Sequence, residues 1–293
     1  MPRIGNRPAG LAFLFLSALG LSLMSLFIKL SGGALTVWQI GFFRALFGIL
    51  AMIGAAFAFK VSLDGPERRI LVLRGFTGTA GFLSFVYALH HLPLAQATLL
   101  FYLFPVFAAL VSPLINQERA GRREWLMIGL AFSGTVLVLG PEAISLELGR
   151  GHLFACLAAF FGGLNISFVR RLSAGHSAYA IYFYFSLVAA AVSAGPALAG
   201  QGGGWPSLAG LGLVLLIGLA ATVGQLAMNF GFFHLSAPEG GVILMSQVPL
   251  AAVMGALFFG EGIGWSFVAG AVLILAGGAG LTLKRKSKDP PLE

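Results

Sequence analysis

The stretch 74–119, RGFTGTAGFLSFVYALHHLPLAQATLLFYLFPVFAALVSPLINQER, sets the class of the fold. It contains two apolar runs, 75–89 and 94–115, joined by His90, His91, Leu92 and Pro93. Proline has no N–H to donate and disfavours a helical residue before it, so the junction is a tight corner between two helices. Few polar groups interrupt the runs: Tyr87, Gln96, Thr98 and Tyr102. Pro105 lies in the middle of the second run, where it kinks a helix and offers a hinge. Kinked apolar helices that carry a few hydroxyls and amides suit the wall of a membrane pathway better than a soluble core.

Composition agrees. The chain has 293 residues, of which 58% are hydrophobic and 10% charged, whereas a soluble domain carries about 25% charged residues. Its 41 glycines also fit, since glycine is more frequent in membrane helices. Cys156 is the single cysteine and lies in an apolar run, which excludes a disulfide framework. With five scattered histidines it gives no basis for a metal site. The net charge of +8 sits in loops, with no extended basic region of the kind that binds nucleic acid.

About 20 mostly apolar residues cross a bilayer. That length selects ten segments: 9–28, 36–59, 70–89, 94–115, 124–140, 151–169, 177–199, 207–232, 238–260 and 263–283. The first follows Arg3 and Arg7 as a secretory leader would. It is long, lacks a small-x-small cleavage site and has a counterpart later in the chain, so it reads as a retained span. Alternating the loops puts fourteen Lys and Arg on one side (Arg3, Arg7, Lys60, Arg68, Arg69, Arg119, Arg122, Arg123, Arg170, Arg171, Lys284, Arg285, Lys286 and Lys288) and only Lys29 and Arg150 on the other. Positive charge gathers on the cytoplasmic side, so both termini are expected there, in a bacterial inner membrane.

The chain repeats itself. GLAFLFLSALGLSLMSLFIKL from Gly10 aligns with GHLFACLAAFFGGLNISFVRRL from Gly151, matching Phe13 to Phe154, Leu23 to Leu164, Phe27 to Phe168 and Lys29 to Arg170. Pro105, Glu118 and Trp125 are echoed by Pro249, Glu261 and Trp265. Each repeat holds five spans. Five is odd, so the second copy crosses the membrane in the opposite sense, and a binding site is expected near the midplane where the halves meet. The expected fold is therefore an all-α membrane protein of ten transmembrane helices in two five-helix inverted repeats. Its divisions are a cytoplasmic tail 1–8, repeats 9–140 and 151–284 around a connecting loop 141–150, and a basic tail 285–293. One chain completes the two-half unit, and a monomer is expected.

These residues resemble the drug/metabolite transporter superfamily in its ten-helix EamA-type branch, over about residues 8–284. The carrying residues are FFRALFGIL with Arg44 in the second span, the 74–110 stretch through the third and fourth spans, and Glu118 and Gly260-Glu261 closing the fourth span of each half. The resemblance implies a central cavity lined mainly by spans 1, 3, 4, 6, 8 and 9. No cofactor is expected. Members export amino acids or move other small metabolites. The nearest analogue it suggests is the superfamily's aromatic amino-acid exporter, and a second similar group takes up S-adenosylmethionine.

The residue chemistry points the same way. No Ser/His/Asp pattern, phosphate loop or nucleotide-binding domain is present, which argues against an enzyme. All ten acids fall in expected loops, tails or helix ends. A proton-coupled carrier usually keeps an ionisable relay inside the membrane. Glu239, with His234, is the best candidate here, against a simpler role as an N-terminal charge complementing the helix dipole. A facilitative carrier is the expectation. Arg44 is the costliest residue, since a charge at the bilayer centre costs about 2.5–3.5 kcal/mol. It either holds a substrate carboxylate or a gate, or pairs with carbonyls or snorkels. The family places span 2 outside the cavity, which favours the structural role. Arg74 is expected to be a solvated anchor or a gate contact.

The candidate substrate-binding residues are Tyr87, Thr98, Tyr102, Phe161, Asn165, Gln225, Asn229, Ser246 and Gln247. Gln225 and Asn229 are four apart and share a helix face. Amides read both ends of a zwitterion without a buried charge, and aromatic walls suit an apolar or aromatic side chain. Each amide could equally serve as a bond between helices. Pro105 and Pro249 are the candidate hinges. The expected partners are a small-molecule substrate and the lipid bilayer.

Overall fold

The structure is a computed structural model that describes residues 6–31, 35–92, 94–139, 149–199, 207–260 and 264–282. Within these it holds twelve helical segments and no strand. In chain order they are α1 (Arg7–Leu30), α2 (Val37–Phe59), α3 (Arg68–His91), α4 (Leu94–Phe101), α5 (Phe104–Ile115), α6 (Arg122–Leu139), α7 (Arg150–Leu172), α8 (Ala178–Leu198), α9 (Leu208–Gly231), α10 (Ala237–Leu244), α11 (Gln247–Phe259) and α12 (Trp265–Thr282).

Local sequence sets the starts. Asn6 caps α1, accepting from the Ala9 N–H at 3.4 Å, with Pro8 in the first turn. Thr36 and Gln39 form a reciprocal capping box on α2. Ser177 and Ser207 accept from the third residues of α8 and α9. Each cap satisfies a helix-end N–H that the helix cannot pair internally. The cap at Asn6 starts the first helix at Arg7, two residues ahead of its apolar run.

Seven helices, counting α10 with α11 as one, are long and apolar enough to cross a bilayer. Residues 99–115 and 265–280 form shorter apolar helices, and α6 completes ten spans. Leu50, Phe57, Leu114, Leu126, Leu257 and Trp265 stand exposed on the outside. Large exposed apolar side chains along the spans mark a lipid-facing surface.

Two spans are broken rather than merely kinked. The fourth is divided at Tyr102 and Leu103 into α4 and α5, and the ninth at Met245 and Ser246 into α10 and α11. Pro105 cannot donate to the carbonyl of Phe101, nor Pro249 to that of Met245, so the turn ahead of each proline loses its α-helical bond. The chain tightens there into three-residue bonds: Val106 N–H to Leu103 O at 3.0 Å, and Val248 N–H to Met245 O at 2.9 Å. Short tight turns inside a span often mark a hinge or local strain. The two breaks face each other. A Cβ on Gly241 of α10 would lie 3.3 Å from Pro105, and Tyr102, Phe104, Val242, Met245 and Val248 share one core cluster.

The helix pairing is two-fold. α1 packs on α9 as α7 packs on α3, α5 on α7 as α11 on α1, and α3 on α8 as α9 on α2. α2 with α8, and α6 with α12, pair with their own counterparts. Exchanging the two five-span halves returns each of these pairs, as an inverted repeat requires. Where these pairs cross, glycine permits contact between backbones. A Cβ on Gly20 would stand 2.9 Å from Gly224 Cα, and one on Gly163 would stand 2.6 Å from Ala108 N. In lipid such close approach, rather than burial from water, holds helices together.

Candidate functional site

Between the halves, Arg44 and Arg74 lie against one ring. Their Cζ atoms are 5.2 and 4.2 Å from the centroid of Phe185 on α8, and Arg44 also sits 4.6 Å from the Phe82 ring on α3. Arg44 is 3% exposed and Arg74 fully buried. Of the alternatives the sequence offers, burial removes one for each arginine. Arg44 does not snorkel to an interface or bond to carbonyls, and Arg74 is not a solvated anchor. Both turn inward because α2 and α3 each present the residue to the opposing half. Arg74 donates from Nη2 to Gln225 Oε1 at 3.1 Å, and this is its hydrogen bond among the described residues. Its Nε and Nη1, and the Nε of Arg44, are buried without a partner. A cation over an aromatic ring in a dry site gains about 2 kcal/mol, less than the several kcal/mol that burying the ion costs.

The wall continues on α7. Asn165 Oδ1 would lie 3.1 Å from a Cβ on Gly78, beside Phe185, and is buried without a partner. Phe161 packs where α7 meets Gly81 of α3, its Cβ 3.3 Å from a Cβ there. Phe82, Phe161, Asn165 and Gln225 are half-buried rather than enclosed. Of the sequence candidates, Asn165, Gln225 and Phe161 thus join Arg44 and Arg74 in one place.

The other candidates fall elsewhere. Tyr87 stacks on His91 at 4.0 Å and on Phe154 at 4.2 Å, toward the far end of α3. Tyr102 is buried among Phe101 and Phe104 in the break of the fourth span. Asn229 shares a helix face with Gln225 but is fully buried and donates to the Ala178 carbonyl at 3.0 Å, joining α9 to α8. Ser246 lies in the second break with its hydroxyl unpartnered, and the Gln247 carbonyl accepts from Ser22 at 3.3 Å. The Thr98 side chain and Glu261 lie outside the described residues.

Phe82 and Phe185 are the members that sequence reasoning missed, and the repeat itself carries the signal for them. Val37 opens α2 as Ala178 opens α8, and the same register brings Arg44 onto Phe185. Likewise Gly81 on α3 and Gly224 on α9 make matching contacts with α7 and α1, which brings Phe82 onto Gln225. Arg44 and Phe185 are thus equivalent positions that touch each other. Residues related by a two-fold meet only at its axis, so this site sits on the axis between the repeats.

At one end of the bundle the halves are tied by charge. Arg7 Nη2 meets Glu239 Oε1 at 2.9 Å, Arg170 Nε meets Glu118 Oε1 at 2.8 Å, and Arg171 Nη2 meets Glu67 Oε1 at 3.1 Å. Arg123 also donates to the Gly280 carbonyl, and Ser177 to that of Ser62 at 3.0 Å. Every one of these ties joins the first half to the second. Glu239 additionally accepts from the Ser236 N–H and hydroxyl, closing a capping box on α10. It stands at this end rather than in the central site.

Asp64, in the loop ahead of α3, pairs with Arg68 and accepts from the Tyr184 hydroxyl at 3.1 Å. The Arg68 hydrogen bond, then the Gly65 N–H, hold its carboxyl well below the ordinary value of 3.8. A depressed carboxyl contributes fully above the ordinary value and loses its contribution as pH falls through the depressed one. The difference in thermal midpoint between the wild type and Asp64→Asn is therefore expected to stay flat from pH 8 to pH 5. Thermal melts across that range check it.

Ten spans in two inverted halves, broken helices crossing at the centre and a polar site on the two-fold axis define a secondary-transporter architecture. The EamA-like transporter family model matches residues 8–140 and again 149–283. The chain belongs to this family of the drug/metabolite transporter superfamily, and it is a multi-pass membrane transporter, not an enzyme. It is 29% identical over 280 residues to the pseudopaline exporter of Pseudomonas aeruginosa, covering 96% of this chain and 97% of that one. It is 24% identical to the S-adenosylmethionine uptake transporter of Rickettsia prowazekii, covering 91% and 90%, and 26% identical to the riboflavin transporter of Rhizobium johnstonii, covering 92% and 86%. A solved crystal structure superposes with a TM-score of 0.82 at 22% identity, covering 95% of this chain and 98% of its own, and it supports the fold alone.

Proposed function

We propose that this protein is a facilitative exporter of amino acids or amino-acid-like metabolites, preferring aromatic or bulky apolar ones. It acts from a bacterial inner membrane, as a monomer with both termini cytoplasmic. The carrying observation is the axial wall, where Gln225, Asn165 and Arg74 stand beside Phe82, Phe161 and Phe185. Amides and a guanidinium recognise the ends of an amino acid, while the rings receive its apolar body. Alternating access follows from rocking one half against the other about the hinges at Pro105 and Pro249, with the ionic ties at the charged end broken and remade. A facilitative mechanism is supported by the absence of a carboxylate from the axial site among the described residues, Glu239 being held by Arg7. The exporter relative is similar along nearly the whole chain, which supports the outward direction.

Counterflow in proteoliposomes tests this. Vesicles loaded with unlabelled phenylalanine or tryptophan are expected to accumulate labelled phenylalanine, with or without a pH gradient. Exchange that requires the gradient overturns the facilitative mechanism. Exchange of S-adenosylmethionine with none of any amino acid overturns the substrate.

A further inference from the structure

Two guanidiniums share the axial site, and no carboxylate among the described residues pairs with either. Five carboxylates belong to described residues, and each is engaged elsewhere. Asp64 pairs with Arg68, Glu67 with Arg171, Glu118 with Arg170 and Glu239 with Arg7, while Glu124 accepts from the Gly121 N–H. Arg44 makes no hydrogen bond or ion pair among the described residues, and Arg74 makes one, to a neutral amide. Like charges packed against one ring repel each other, and buried ions are retained when a counter-ion or a function holds them. Guanidinium donors also have a planar fork that matches a carboxylate. The half-buried members of this wall, Phe82, Phe161, Asn165 and Gln225, carry no charge.

We propose that Arg44 and Arg74 form the anion-binding centre of the transport site and take a carboxylate of the substrate between them, Gln225 holding Arg74 in position. The substrate class is then a carboxylate-bearing metabolite that is zwitterionic or anionic overall. A net cation such as S-adenosylmethionine meets two like charges. This deepens the export reading and rests on it for the word substrate, but the binding site stands or falls separately.

The test uses the full chain purified in detergent, with its thermal midpoint followed by tryptophan fluorescence. The probes are phenylpyruvate, L-phenylalanine, L-phenylalaninamide, 2-phenylethylamine and inorganic phosphate. Phenylpyruvate and phenylalanine are expected to raise the midpoint, whereas the amide and the amine leave it unchanged. In Arg44→Gln and in Arg74→Gln the apparent affinity for phenylpyruvate is expected to fall by roughly thirtyfold or more, as when one partner of a desolvated charge pair is lost. Arg74→Lys is expected to recover part of it. If either glutamine variant fails to fold, the probe series on the wild type decides alone. Equal shifts from phenylalanine and its amide overturn the site, as does a shift from phosphate only, or none from any carboxylate. Counterflow separates this from the export reading. Phenylalanine exchange with equal phenylalaninamide exchange keeps the exporter and removes the anion site. A phenylpyruvate shift lost in Arg74→Gln, without amino-acid exchange, keeps the site and removes the amino-acid exporter.

Discussion

Glu118→Ala is expected to destabilise the protein by about 3–5 kcal/mol, the range for an ion left buried and unpaired. Arg170 is 1% exposed and pairs through Nε with Glu118 at 2.8 Å, while its Nη1 donates to the Phe232 carbonyl at 2.9 Å. Glu118 Oε2 also accepts from the Ala237 N–H at 3.2 Å, so one carboxylate joins α7 and the start of α10 to the first half. Arg170→Met costs less, because the Glu118 it leaves is 22% exposed and can be hydrated. The double variant is expected to cost less than Glu118→Ala alone, because no buried charge remains. Thermal melts of the three variants give the ordering. A second readout follows the motion. With Cys156 replaced by serine and Phe233→Cys as a reporter, Glu118→Ala is expected to speed labelling by an impermeant maleimide. Unchanged labelling would mean that the pair holds the fold but does not hold the two halves together at this end.

The second large effect lies at the contact of α6 with α12. A Cβ on Gly134 would lie 2.6 Å from the Gly270 carbonyl oxygen, and a Cβ on Gly270 would meet the Gly134 carbonyl in return. Both obstacles are backbone, which no rotamer change can move. Gly134→Ala or Gly270→Ala is therefore expected to cost about 1–3 kcal/mol, the range for overpacking, and Gly134→Leu more, with a loss of folded yield. The internal control is Gly54→Ala in α2, where nothing lies within 4 Å of the added atom. That change is expected to be neutral or stabilising by about 0.5–1 kcal/mol, since alanine is the better helix former. Size-exclusion profiles and melts of the four variants settle the order.

Much of this fold was legible before any coordinates. Hydropathy and the positions of Lys and Arg give the spans, because a bilayer imposes length and loop charge directly. The inverted repeat follows from odd span number and the pairing of Pro105 with Pro249. The location of the helix breaks was less legible. Proline marks a kink, but the missing bond is the one to the residue four earlier, so the chain divides at Tyr102 and Met245 rather than at the prolines. Least legible was the direction of the two arginines. A guanidinium in an apolar helix can snorkel, pair or face a cavity, and only the helices packed around it decide. Arg44 finds Phe185 because α2 packs on α8, and Phe82 because α2 meets α3, contacts with no trace in local periodicity. Asn229 is the converse case. Its spacing from Gln225 was legible, but one further turn puts it beside the Ala178 carbonyl and makes it a helix tie.

The self-contact of Arg44 with Phe185 bears on how such a chain could arise. In an ancestral dimer of identical five-helix proteins, any residue at this position would face its own copy. Arginine would meet arginine, and phenylalanine would meet phenylalanine. A charge set against a ring at the centre is available only once the two copies are encoded separately and free to mutate independently. Divergence of the two halves therefore permits a lopsided centre on the axis, one that presents a charge from one half and a ring from the other.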